Sequence, residues 1–134
     1  MGKRDFHYFK IAKAVSKTST FERIKIGAIV VYKKEILSAG VNVKKSHPLQ
    51  KKYNYLRFEC QPEYHHYLHA EIRAILNADR EDLSGASLYV FREDRKGNLA
   101  PSRPCPACME VIKKHGIKKI FYTTKDGYCE EIIE

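Results

Sequence analysis

The sequence predicts an α/β protein: a mixed sheet of five strands with helices packed on it. Three observations point there. Short runs of β-branched and aromatic residues, at residues 25–32, 87–91 and 118–124, are separated by stretches that read as helices. The element order is helix, two strands, helix, strand, helix, strand, strand. Strands joined through a helix run parallel and strands joined by a tight turn run antiparallel, so the sheet contains both. Asp126-Gly127 is a hairpin signal, and the last two strands are expected to form an antiparallel pair.

Each element has its own signal. Residues 4–18 carry Phe6, Phe9, Ala12 and Val15 at a spacing of three, one helical stripe. Lys25-Ile-Gly-Ala-Ile-Val-Val-Tyr is a buried strand, and Lys33-Lys34 turns it into a second at 35–43. Residues 44–68 mix prolines, aromatics and basic residues with no clean period. They read as a long loop with room for one short helix, and long ordered loops in compact domains tend to be functional. Residues 69–78 read as a helix with Ala70, Ala74, Ile75 and Ala78 towards one side. Ser84-Gly85 punctuates before the third strand at 87–91. A polar loop at 93–104 leads to a helix at 105–115, which Pro104 helps to start and Gly116 ends. A fourth strand follows at 118–124 and a short fifth at 128–133.

The 134 residues suit a single domain, 1–134, with one buried core, and an apolar share of 43% reads as folded. No stretch resembles a signal peptide. The longest apolar run, 26–32, is too short to cross a bilayer, so no membrane partner is expected. A cytoplasmic protein with reduced thiols follows as the expectation. The cysteines at 60, 105, 108 and 129 then read as ligands and bystanders rather than a disulfide framework. The formal net charge is +9, with lysine pairs at 44–45, 51–52, 113–114 and 118–119, which favours an anionic substrate or partner.

Pro104-Cys105-Pro-Ala-Cys108 poses the chemical question. Such a pair can be a redox couple, a structural metal knuckle or half of a catalytic metal site. No thioredoxin-like strand precedes it. A purely structural zinc needs a fourth protein ligand, for which Cys60, His65, His66, His115 and Cys129 are available. A catalytic zinc needs three protein ligands and an open position. Cys105 and Cys108 at a helix start project from one face. His69-Ala-Glu71 opens the preceding helix. If the two helix beginnings meet, His69 completes the metal site and Glu71 reaches over its open position.

His69-Ala-Glu71 followed by Pro104-Cys105-Pro-Ala-Cys108 resembles the signature of the zinc-dependent nucleobase deaminases, the cytidine and deoxycytidylate deaminase superfamily. Gly27-Ala28-Ile-Val, Ser38-Ala-Gly-Val-Asn42 and the Ser-Leu-Tyr-Val strand stand in the matching order, so the resemblance spans roughly residues 8–124. It implies a three-layer-like α/β/α cytidine deaminase fold. It also implies that His69, Cys105 and Cys108 bind Zn2+ and that Glu71 is the catalytic proton shuttle. Asn42 would hydrogen-bond the sugar or base of the substrate, and the Ala70 N–H would hold a base carbonyl. An activated water would attack the amine-bearing ring carbon and release ammonia.

Substrate clues diverge. Histidine beside two cysteines resembles the ligand set of deoxycytidylate, tRNA adenosine and AID/APOBEC-type deaminases, whereas the final hairpin resembles small cytidine deaminases. The ligand set and the basic charge favour a cytosine-containing nucleotide of dCMP type, with Lys44, Lys45, His47 or Arg103 at its 5′-phosphate. The alternative is a single-stranded DNA or RNA cytosine or adenine deaminase. In that reading the lysines interleaved with Tyr53, Tyr55, Phe58, Tyr64 and Tyr67 would hold the strand. A non-enzymatic relative is a third class, against which the intact Glu71 argues. Some deoxycytidylate deaminases carry a second, structural zinc in this region, but Cys60, His65 and His66 do not match that pattern ligand for ligand. The resemblance also implies a homo-oligomer.

Overall fold

Strand β1, Lys25–Tyr32, faces two different cores. Ala28 and Val30 enter one, Ile29 and Val31 the other. That period-two alternation belongs to a strand covered on both faces. The structure, a computed structural model, describes residues 1–56 and 67–133.

Helix α1, Lys3–Ser16, precedes β1, which turns into β2, Glu35–Val41. The turn residues Lys33 and Lys34 have φ of 49° and 70°, the two left-handed positions that a two-residue hairpin of matching twist requires. The chain then forms β3, Val43–Ser46, helix α2, Pro48–Tyr53, a single 3₁₀ turn at Asn54–Leu56, and β4, Tyr67–Leu68. Helix α3, Ala70–Asn77, leads to β5, Ser87–Glu93. Helix α4, Pro106–Lys114, leads to β6, Lys119–Thr124, and β7, Gly127–Ile132.

The main sheet has the order β2-β1-β5-β6-β7. Only β5 and β6 pair in parallel; the other neighbours are antiparallel, including β6 with β7. This is the expected five-stranded mixed sheet with an antiparallel final pair. Helix α1 covers one face, over Tyr8, Phe9, Tyr89, Phe91 and Phe121. Helices α3 and α4 cover the other, over Ile72, Ile75, Leu88, Val90, Val111 and Ile120. The three-layer arrangement expected from the resemblance is therefore present.

Both covering layers come close to the sheet at a glycine. A Cβ on Gly27 would collide with the Ala12 carbonyl of α1. A Cβ on Gly40 would lie 2.5 Å from the Ala74 nitrogen of α3. Two hydrogen bonds fix α3 on β2: the Ser38 hydroxyl donates to the Ala74 carbonyl at 2.6 Å, and the Asn77 amide to the Ala39 carbonyl at 2.8 Å.

Three sequence expectations are corrected. The second strand ends at Val41 rather than 43, because Asn42 turns its amide inward to hold the approach to β1. The long loop of 44–68 contains a two-stranded sheet of β3 with β4 as well as a helix. The final turn is centred on Lys125 and Asp126, one residue early, and Gly127 begins β7 at φ 146°. Among the described residues, no helix is long and apolar enough to cross a membrane.

Candidate active site

The β2-to-β5 and β5-to-β6 crossovers bring the beginnings of α3 and α4 together. His69 is the N-cap residue of α3 and Cys105 that of α4, with Pro106 in the first turn. His69 Nδ1 lies 3.2 Å from Cys108 Sγ and 3.5 Å from Cys105 Sγ. The three donor atoms all lie within 4.8 Å of one another. Tetrahedral zinc with its usual bond lengths separates nitrogen from sulfur by about 3.5 Å and sulfur from sulfur by about 3.8 Å. One imidazole and two thiols at these separations fit such an ion and leave one tetrahedral position to a non-protein ligand.

The two thiols are shifted in opposite directions. The Cys105 thiol is pulled down to about 4, chiefly by the hydrogen bond from Cys108 and further by His69, against the effect of burial. Burial pushes the Cys108 thiol well up, and its hydrogen bond to Cys105 adds to this. Glu71, in the first turn of α3, is 4% exposed. Burial raises its carboxyl above the ordinary carboxylate range, His69 opposes the rise, and the charge on Cys105 adds to it. A carboxyl that burial makes easier to protonate suits proton transfer in both directions.

These groups stand at a cavity of about 820 Å³, whose walls include His69, Glu71 and Cys105. That size suits a small-molecule ligand. Phe21 and Tyr67 form one aromatic wall, with ring centroids 6.0 Å apart and planes 62° apart.

The other residues singled out in the sequence fall in different places. Asn42 lines the cavity, but its side chain is engaged within the protein. Its Oδ1 accepts from the Ser19 hydroxyl at 2.7 Å and the Ile26 N–H at 3.0 Å, and its Nδ2 donates to the Ile24 carbonyl at 2.8 Å. Ala70 is fully buried and is not part of the wall. Lys44 is on the wall, with its ammonium 5.3 Å from the centroid of the Phe21 ring. Arg103 is on the wall, with its guanidinium bound bidentately to Glu131 at 3.0 and 2.9 Å. Neither Lys45 nor His47 lines the cavity; His47 instead caps α2, its Nδ1 accepting from the Leu49 N–H at 3.1 Å. Tyr53 is buried in the core. Cys60, His65 and His66, as well as Phe58 and Tyr64, lie outside the described residues.

Three supporting residues carried no functional reading from the sequence. Gln50, fully buried on α2, accepts from the His69 N–H at 3.1 Å and donates to Asn54 at 2.7 Å. Ser102 and Thr123, both buried, are joined at 2.8 Å. The Ser102 hydroxyl reaches the Val90 carbonyl and the Thr123 hydroxyl reaches the Ala100 carbonyl. They close the loop that delivers Pro104 and Cys105. Arg92 lines the cavity and had a legible signal: it continues the inward alternation of Leu88 and Val90 along β5.

The family described as "Cytidine and deoxycytidylate deaminase zinc-binding region" matches residues 3–124. A deoxycytidylate deaminase of Mycobacterium phage D29 is 32% identical over 133 residues, covering 88% of this chain and 92% of the phage protein. The crystal structure of dCMP deaminase from the cyanophage S-TIM5 in complex with dCMP and dUMP superposes with a TM-score of 0.62. It is 28% identical and covers 91% of this chain and 82% of that one. The cytidine deaminase of Mycobacterium leprae shares the fold with a TM-score of 0.52 at 22% identity, covering 90% and 87% of the two chains. The match over nearly the whole length, together with one histidine and two cysteines drawn to one point, establishes that the chain belongs to the cytidine and deoxycytidylate deaminase family and is a deaminase.

Proposed function

We propose that this enzyme hydrolytically deaminates a cytosine-containing nucleotide of dCMP type, using zinc held by His69, Cys105 and Cys108. The observation that carries the reading is the His-Cys-Cys cluster beside buried Glu71, opening on a cavity whose walls carry Lys44, Arg92 and Arg103. A cationic cavity suits an anionic substrate better than a neutral nucleoside. Similarity to phage deoxycytidylate deaminases supports the same choice.

Zinc held there would supply Lewis acidity, lowering the pKa of the attacking water towards neutrality. Glu71 would take a proton from the attacking water as the water oxygen bonds to the amine-bearing ring carbon. Glu71 then delivers that proton to the neighbouring ring nitrogen. Glu71 would then pass the proton of the newly formed hydroxyl to the leaving amine, so that ammonia departs as the carbon–nitrogen bond breaks and the ring carbonyl forms. Phe21 and Tyr67 wall the space in which a flat base would lie.

Ammonia release from dCMP, dCTP, cytidine, an adenine nucleotide and single-stranded oligonucleotides tests the reading. The expected result is fastest turnover of dCMP, with about one zinc per chain. Turnover confined to oligonucleotides, with steep salt dependence, would replace the free-nucleotide reading with the polynucleotide one. Turnover of none of them by zinc-loaded protein would remove the assignment.

A further inference from the structure

Among the described residues, the Nε of Arg92 is the one buried side-chain nitrogen or oxygen without a hydrogen-bond partner. Buried polar groups are nearly always satisfied, so an exception calls for an explanation. Arg92 sits near the end of β5 on the α3 and α4 side of the sheet, and its side chain forms part of the cavity wall shared with Glu71 and Cys105. Its Nη1 donates to the Pro101 carbonyl at 3.2 Å in an exposed bond, so the outer end of the guanidinium is reachable. No carboxylate pairs with it among the described residues. A guanidinium carries five N–H donors in a fixed fork, and most of those on Arg92 are uncommitted.

The other cavity cations differ: Arg23 also lines the cavity but is exposed to solvent, with no buried donor left unsatisfied. Arg103 has two of its donors on Glu131, and Lys44 lies against the Phe21 ring. Lys45 and His47 are elsewhere. A full positive charge with free donors beside the reacting groups is suited to a doubly charged anion, and the guanidinium fork matches phosphate oxygens bidentately.

We propose that Arg92 binds the substrate's 5′-phosphate and thereby sets the preference for a nucleoside monophosphate over a nucleoside. The proposal rests on the nucleotide reading above. Phosphate supplies acceptors for the guanidinium donors that the Pro101 carbonyl leaves free at its reachable outer end.

Calorimetric titration of the zinc-loaded protein with dUMP and with deoxyuridine tests it, because the two differ only in the phosphate and neither is consumed. Wild-type protein is expected to bind dUMP far more tightly than deoxyuridine. Arg92→Gln is expected to lose dUMP affinity on the order of 100-fold, and deoxyuridine affinity by much less. Arg92→Lys keeps the charge without the fork and is expected to fall between the two. Thermal melts check folding, and Arg92→Lys carries the test should Arg92→Gln not fold. Equal losses for both ligands, or full dUMP affinity in both variants, would overturn the assignment. If the wild type still deaminates dCMP in that event, only the role of Arg92 fails. If the wild type neither binds dUMP nor deaminates dCMP, the nucleotide reading fails with it.

Discussion

The backbone N–H of His69 donates to the side-chain carbonyl of Gln50 at 3.1 Å, linking the first residue of the metal cluster to a fully buried side chain on α2. The ring of His69 can face both sulfurs only if its backbone is held at the mouth of α3, and Gln50 supplies that hold. Gln50→Ala is expected to destabilise the protein by about 1–3 kcal/mol through the lost buried hydrogen bonds. Zinc affinity is expected to drop about 10-fold, as for other groups that orient a ligand. Chelator competition and thermal melts measure the two effects separately. A lowered melting temperature with unaltered zinc affinity would show that Gln50 supports the fold alone.

Glu71 is buried beside the cluster but is not one of its three donor residues. Glu71→Gln keeps the shape and removes the proton carrier. Turnover is expected to fall by about 10²–10⁴-fold, with zinc content unchanged. Metal analysis alongside steady-state kinetics decides the matter, and near-normal kcat in the metal-loaded variant would remove Glu71 from the chemistry.

His69 and Cys105 cap different helices and stand 36 residues apart in sequence. A metal gripped by both ties α3 to α4. His69→Ala and Cys105→Ser are each expected to lower zinc content and melting temperature together, since ligation is coupled to folding. Strong chelation of the wild type is expected to lower its melting temperature in the same direction. Full metal loading in both variants would contradict the site.

Gly40 leaves no space for a side chain: its Cβ would lie 2.5 Å from the Ala74 nitrogen and 2.9 Å from the Ala70 carbonyl. Gly40→Ala must push α3 off β2, and His69 and Glu71 with it. A loss of about 1–3 kcal/mol is expected from overpacking, together with a reduced kcat. Gly97→Ala serves as the comparison, because nothing lies within 4 Å of the Cβ added there, although its φ of 85° carries its own backbone cost. Denaturant unfolding and kinetics on the pair would separate packing from backbone strain. A fully active Gly40→Ala would show that α3 can yield without moving the site.

Much of this architecture was legible because its signals are local. The β-branched run at β1 and the proline at the start of α4 are written in consecutive residues, and the motif residues mark the two helix beginnings. The segment after Val41 was not legible. Strand β3 has four residues and β4 two, too few to show a period, and each exists only through its pairing with the other. Gln50 looked like one polar residue among lysines, since its burial depends on α4 and on the backbone of His69. The roles of Ser102 and Thr123 lie in a contact across 21 residues that neither position announces. Arg103 is one of four basic residues expected at the 5′-phosphate from the ligand set and the basic charge. Its bond to Glu131 comes from a strand that returns only at the end of the chain.

Among the described residues, none of the layer beneath α1 lines the catalytic cavity. Tyr89 and Phe121 stack there at 4.3 Å with Phe9 edge-on to both, and none of the three lines the cavity. Sturdiness and chemistry are thus housed on opposite sides of one sheet. Substitutions that tighten the aromatic side would create a surplus of stability, and that surplus would let the catalytic side tolerate changes of base or sugar preference that otherwise unfold the molecule.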